Sequence, residues 1–424
     1  MNRLLVPTIP QVWVKLRDDM ALGRGYLRCG YGWTAAAFVL GITLVSCGPT
    51  SNVKSSVPQT RSDCVAEYNA NTDYFLNKTK LQEAKGFAVE YYKHYKVITV
   101  TRPWRDAKVQ FKYALVQCGT PTPEGFQADQ VVQVPVRSVV ALSTTHLAQL
   151  EKLGVIDRLV AVNDFKNITT PVVLDKIKRN QIADVGDNSA PNIEKILSLS
   201  PDLITSYGTG NPQVDSYGKL LEAGLKVGIV SEYMEPTPLG RAEWIKFLAV
   251  FFNREAVAEQ EFNKMANRYR SIVAIAKTAK TRPTVFAGFS SKGTWYVPGG
   301  DSYVAKLLAD AGSTYIWADD RTSGSLNLSF EQVFDRARQA EYWINGSRNW
   351  KTQADVKQDD GRYEGFLAVK TGKLYSPIAR VGPEGGNEYW SSGTANPDVV
   401  LADLVSVFHP ELMTNQLYYY KQLP

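Results

Sequence analysis

Three histidines, His94, His146 and His409, and four cysteines are all the imidazole and thiol in this sequence of 424 residues. A transition-metal centre asks for three or four such ligands at one point. His94 falls in a strand-rich segment, His409 precedes Pro410 near the carboxyl end, and His146 follows a short apolar run. Their convergence is not expected, and no metal site is assigned. Hydrolytic and nucleotide-binding patterns are missing as well. GFSSKG at 288–293 lacks the spacing of a GxSxG nucleophile elbow. YGTGNP supplies Gly208 and Gly210 without a third glycine or a later acidic partner, and neither GxxxxGKS/T nor HExxH occurs. Asp319-Asp320 and Asp359-Asp360 read as solvated turns. The chain is therefore not read as an enzyme, and no cofactor is called for. What it has in quantity is aromatic and cationic: 22 tyrosines, 9 tryptophans and 48 lysines and arginines. Such side chains bury large faces and offer cationic donors to a bound molecule.

The cysteines define compartment before structure. An apolar run at 34–46, TAAAFVLGITLVS, is 13 residues long and follows Arg24 and Arg28. It is too short for a membrane-spanning helix, which needs about 20 residues, and fits the apolar core of an export signal. It ends in Leu44-Val45-Ser46-Cys47, which resembles a lipobox, so Cys47 is expected to carry acyl chains that anchor the mature chain to a membrane. Exported to an oxidising compartment, Cys64 and Cys118 are most simply one disulfide. Closing a loop of that length contributes roughly 4 kcal/mol in the chain-entropy account. The leader removes five basic and two acidic residues, which halves the net charge of +6. That dispersed balance argues against nucleic acid as a partner, and a monomer is expected.

The length fits about two or three domains, and 44% hydrophobic with 21% charged residues is an ordinary globular composition. Residues 1–46 read as leader and 47–63, rich in Ser, Thr and Pro, as a tether. Residues 64–133 read as a β-rich extension, because FAVEYY, YKVITVT and AKVQFKYALVQ alternate apolar and polar residues as an antiparallel meander with one wet face does. From Arg137 short apolar strands alternate with helical patterns: RSVVALS, THLAQLEKLG, RLVAVND, IEKILSLS, DLITS, KVGIVS. A second such unit opens at TVFAGFS. Alternation of this kind implies parallel sheets with covered faces. Residues 134–238 and 282–424 are thus two α/β lobes, and 239–281, with apolar residues at three- and four-residue intervals and no proline after Pro238, is a long helical bridge. A ligand cleft is expected between the lobes.

Four stretches carry a family likeness: VPVRSVVALSTTHLAQLEKLGVIDRLVAV (134–162), VGDNSAPNIEKILSLSPDLITS (185–206), PTPLGRAEWIKFLAVFFNREAVAEQ (236–260) and EYWSSGTANPDVVLADLVSVFHPEL (388–412). Together these resemble the periplasmic substrate-binding proteins of ABC importers for iron-siderophores, haem and cobalamin, over about residues 84–412. The resemblance implies two Rossmann-like lobes with parallel-rich sheets bridged by a single long helix. It also implies a metal-chelate ligand and an ABC permease and ATPase as partners. It assigns Glu194 in PNIEKIL and Glu331 in LSFEQVF to docking on permease arginines. In open α/β sheets ligands bind beyond the carboxyl ends of the strands. That rule selects Ser143, Thr144, Thr145 and His146, residues 207–210 beginning with Tyr207, and Glu232 and Tyr233 from the first lobe. From the second it selects Ser290, Ser291, Lys292, Trp295 and Tyr296, with Arg321, Arg380, Asn387, Tyr389 and Trp390. An envelope-interaction lipoprotein that keeps the fold without transport is the competing reading, and the extension is its only motive.

Overall fold

The computed structural model describes residues 64–347 and 349–424. The leader, the tether and Cys47 lie outside the described residues. In the first lobe, Val139–Ala141 is the middle strand of an all-parallel sheet, ordered Ala183–Asp184, Leu159–Val162, Val139–Ala141, Leu203–Ser206, Val227–Ile229. Successive side chains of a strand point to opposite faces. Val139 and Ala141 enter the main core, and Val140 and Leu142 a second one with Ile196, Ile204 and Leu220. A strand covered on both faces has no polar positions to alternate with, hence the unbroken apolar run.

The second lobe repeats the plan with Thr314–Tyr315, Thr284–Ala287, Tyr342–Ile344 and Leu374–Ser376 in parallel and Lys421–Gln422 antiparallel at the edge. It adds an antiparallel sheet of Phe289–Ser291, Thr294–Pro298 and Ser325–Leu328 that the sequence reading did not contain. Gly288 turns the chain from one sheet into the other at φ +118°, and a Cβ there would lie 2.3 Å from the Tyr296 carbonyl oxygen. Only glycine fits such a corner.

The bridge is not one uninterrupted helical stretch. It consists of Pro238–Glu243, Ile245–Phe252 and Glu255–Ala276. The last has 22 residues, about 33 Å at 1.5 Å per residue. It is held to helix Pro397–Phe408 by an Arg268 Nε to Asp398 ion pair of 2.6 Å. The break before it is Asn253, in the left-handed region at φ +54°, which asparagine tolerates better than most residues. Its side chain explains the choice: Oδ1 accepts from Lys96 Nζ at 2.7 Å and Nδ2 donates to Gln117 Oε1 at 2.9 Å.

Both partners belong to the amino-terminal sheet of Phe87–Tyr91, Tyr95–Val100 and Phe111–Gln117, antiparallel in that order, with Val131–Val134 added in parallel. Lys96, Val97, Ala114 and Val116 are buried along with Ile98, Val100, Tyr113 and Leu115, so the middle of this sheet has no wet face. Buried carboxylates secure the segment before it. Glu243 accepts from the backbone N–H groups of Gln82, Glu83 and Ala84, and Glu235 Oε1 from those of Lys85 and Gly86. Cys64 and Cys118 are disulfide-bonded. One apolar core runs through this sheet, the bridge and both lobes.

Candidate functional site

The first loop beyond a parallel strand serves the helix it starts. Ser143 Oγ accepts from the Thr145 backbone N–H and caps helix Thr144–Lys152. Ser143, Thr144 and His146 are all buried. His146 Nδ1 lies 2.9 Å from Thr205 Oγ1 on the adjacent strand. These three are corrected from ligand contacts to positioning residues, because the helix start folds back onto the sheet. Burial pushes the His146 pKa from its ordinary 6.5 down to about 3. Across that window the unfolded chain binds the proton and the folded chain does not. Stability is therefore present above pH 6.5 and lost as the pH falls toward 3, by up to about 1.4 kcal/mol per pH unit. In urea titrations, His146→Gln should flatten the stability slope between pH 6 and pH 4; a slope equal to wild type would refute the assignment.

Thr145 and Glu232 hydrogen-bond to each other, and beside them a residue the sequence reading missed, Arg241, meets the second lobe. Thr237 accepts from the Gly240 N–H and Pro238 occupies the first helical turn, so Pro238–Glu243 starts where it projects Arg241 toward the lobe junction. Arg241 Nε donates to the Glu235 carbonyl at 2.9 Å and Nη2 to the Tyr233 carbonyl at 2.7 Å. Its guanidinium stacks 4.2 Å over the Tyr303 ring of the second lobe. Desolvation lowers its pKa, opposed by Tyr303, Glu232 and Tyr389. Burial raises the Glu232 carboxyl, while the Thr145 hydroxyl and Arg241 pull it back. Tyr389, itself buried, hydrogen-bonds with Tyr420 and Asn345 and has Trp390 edge-on at 4.9 Å. Helix Thr144–Lys152 packs against helix Tyr389–Ser392 across the junction. At the far end a Cβ on Gly386 would sit 2.9 Å from the Asn167 carbonyl oxygen, so the lobes approach there as well.

The remaining nominees divide between mouth, core and surface. Tyr207 is half-buried and hydrogen-bonded to Asn188. Asp215 clasps the loop that follows, accepting from the N–H groups of Thr209 and Gly210. Tyr233 Oη is 2.5 Å from the Gly208 carbonyl oxygen. In the second lobe Lys292 stands at an exposed hairpin tip at φ +51° and Tyr296 is half-buried beside Phe289. Arg321 is exposed and 3.5 Å from Asp301, and Arg380 lies 4.0 Å over the Tyr418 ring. Asn387 is buried, donating to the Pro377 carbonyl. Trp295 is corrected: it is 1% exposed and packs among Phe286, Trp343, Tyr363 and Phe366. In the register with Leu328 its side chain turns from the cleft into the lobe's aromatic core. Glu194 and Glu331 are exposed in the first turns of Ile193–Leu199 and Phe330–Ala337. Glu331 is held below the ordinary carboxylate range by its own N–H, then Ser329 and Arg362.

The histidines stay apart. His94 contacts Tyr68, and His409 Nε2 is 3.1 Å from the Gly312 carbonyl oxygen. Among the described residues no group of three or more His, Cys, Asp or Glu could hold a metal ion, and no helix is long and apolar enough to cross a membrane. A cavity of about 370 Å³ opens beside the bridge, between Glu83, the helix start Thr237 to Leu239, the bridge residues Tyr269, Arg270 and Lys277, and Lys306 with Asp310. Of its three cations, Arg270 and Lys306 are already paired with Glu83 and Asp310. The polar groups converging at the lobe junction make that the better candidate.

A family profile described as "Periplasmic binding protein" matches residues 139–377. An uncharacterized lipoprotein of Methanocaldococcus jannaschii is 30% identical over 292 residues, 66% of this chain and 67% of that one. A vitamin B12-binding protein of Yersinia pestis is 29% identical over 201 residues, 46% of this chain and 65% of that protein. Among solved structures, a periplasmic heme-binding protein from Pseudomonas aeruginosa superposes with a TM-score of 0.53 at 19% identity, over 68% of this chain and 98% of its own.

Proposed function

The chain belongs to the periplasmic binding protein family, and on that premise we propose that it captures a metal chelate between its lobes and presents it to an ABC importer. The observation that carries this reading is the junction itself. A guanidinium, Arg241, is placed between a parallel-sheet loop bearing Glu232 and a tyrosine pair, Tyr303 and Tyr389, of the opposite lobe. Cationic donors beside aromatic faces suit a ferric siderophore first, and haem or cobalamin as alternatives. Relatives named for lipoprotein character and vitamin B12 binding support the same class. Delivery follows from export through the leader, anchoring at Cys47, and docking of Glu194 and Glu331 on the permease, in the periplasm or at the cell surface.

Titrating the purified protein with ferric siderophores, haemin and cyanocobalamin should quench tryptophan emission saturably for at least one of them. Arg241→Ala should weaken that binding by about tenfold or more, the effect of losing a charge-assisted hydrogen bond. No response to any probe would sink the ligand assignment.

A further inference from the structure

The loop of residues 101–110, between strands Tyr95–Val100 and Phe111–Gln117, lies over the carboxyl ends of the last two parallel strands of the first lobe. The Pro103 carbonyl accepts from Ser231 Oγ at 2.9 Å and from Tyr233 Oη at 3.2 Å. One strand away, Tyr113 Oη accepts from the Ile229 N–H at 3.1 Å. Trp104 is set flush on the loop after Leu203–Ser206. A Cβ on Gly208 or Gly210 would come within 2.8 or 2.6 Å of its ring, so those glycines leave the space the indole fills. Tyr217 stacks at 5.7 Å and Phe111 meets the ring edge-on at 5.9 Å. The next residue crosses to the other lobe: a Cβ on Gly324 would be 1.9 Å from Arg105 Nη2. Asp106, at φ +58°, turns the chain back.

This loop is attached to the first lobe by several bonds and touches the second through one long side chain. It therefore stands at the mouth of the cleft, on the side opposite the Gly386 approach. It carries Arg102, Arg105 and Lys108, all exposed, and none of them is in an ion pair among the described residues. An unpaired guanidinium at a cleft mouth is a bidentate donor for carboxylates.

We infer that this loop is a third wall of the ligand cleft, with Arg105 a recognition residue for an anionic, carboxylate-bearing chelate and Trp104 the positioning residue that holds it. The inference rests on the chelate-binding reading and narrows it to ligands with free carboxylates. It also gives the extension a role in binding.

Calorimetric titration with two anionic probes, haemin and ferric dicitrate, and two neutral ones, ferrichrome and cyanocobalamin, tests it. Wild type should bind at least one anionic probe. Arg105→Ala should weaken that binding about tenfold and Arg105→Glu about a hundredfold, with any neutral probe changed less than about twofold. Trp104→Ala should reproduce the Arg105→Ala loss and Trp104→Phe should restore most of it. Equal affinity for an anionic probe in wild type and both Arg105 variants would overturn the inference, as would equal losses for anionic and neutral probes, or binding of neutral probes only. Those results leave the chelate-binding reading standing. Failure of wild type to bind any of the four removes that reading and this inference with it.

Discussion

Glu255→Gln is expected to destabilise the protein by about 3–5 kcal/mol at pH 7, the cost of leaving a buried charge without its partner. Lys96 Nζ is fully buried, 2.5 Å from Glu255 Oε1 and 2.8 Å from the Val250 carbonyl oxygen, with the Phe75 ring 4.5 Å away. Desolvation lowers the Lys96 pKa from 10.5 to about 8 even with Glu255 opposing it, so the ammonium is charged at neutral pH. Without the carboxylate its folded pKa drops further below the unfolded value. The folded state then binds fewer protons than the unfolded chain over a wider window, and the loss of stability accumulates as the pH falls through it. Guanidinium unfolding at pH 9 and pH 6 should show the larger loss at pH 6. The double replacement Lys96→Met with Glu255→Leu removes both charges and should be milder than the single change. A single variant within about 1 kcal/mol of wild type would show that water reaches the pair. The effect is large because these residues join the amino-terminal sheet to the start of the 22-residue helix. Together with Asn253 and the carboxylates of Glu235 and Glu243, they make that sheet part of the bridge.

Replacing Glu194 and Glu331 together by alanine should lower importer-dependent uptake about a hundredfold and leave chelate affinity unchanged. Each carboxylate lies in the first turn of a helix, where the helix dipole favours negative charge. Charges of this kind orient an encounter more than they add raw affinity. Glu331 has one intrachain competitor, Arg362 Nη1 at 3.4 Å, but that guanidinium makes closer contacts with Asp360, at 2.7 Å through Nη2. An exposed pair at the longer distance is worth little, so Glu331 remains available to a partner's arginine. Uptake into proteoliposomes holding the permease and ATPase, measured beside ligand titration, separates docking from binding. Unchanged uptake would refute the role, and parallel loss of affinity would relocate both residues to the cleft.

Much of the fold is legible in the amino-acid sequence. Strands that lie between two covered faces are apolar throughout, so short apolar runs such as VVA, LVAV and LITS, alternating with helical patterns, pointed to parallel sheets. The structure shows Ser143, Asn192 and Ser329 capping three of the helices read from periodicity or motif. The site was less legible. Periodicity over 239–281 contains nothing that announces the break at Asn253, because the groups that stabilise its left-handed turn, Lys96 and Gln117, are more than a hundred residues earlier. Arg241 looked like an ordinary position in a helix start; only the facing Tyr303 ring marks it. The nominees corrected, Ser143, Thr144, His146 and Trp295, all sit near strand ends, where the rule for α/β sheets applies to the loop but cannot say which way each side chain turns. Nor could alternation reveal that the loop after Tyr95–Val100 leans on the first lobe and touches the second.

What the sequence by itself determined is therefore what local pattern and composition govern. It specified two α/β lobes on a helical bridge, a β-rich extension, an aromatic and cationic composition, and too few imidazoles to expect a bare metal centre. The tertiary structure alone decided which of the aromatic and cationic residues meet at the lobe junction and which are buried in a lobe core. It also decided that the extension belongs to the body, through buried carboxylates and an ammonium whose partners are distant in sequence. The physical reason is range. Burial on one face or two is a property of a segment and leaves its mark there, whereas ion pairs, ring stacking and close backbone approach join segments that carry no sign of one another.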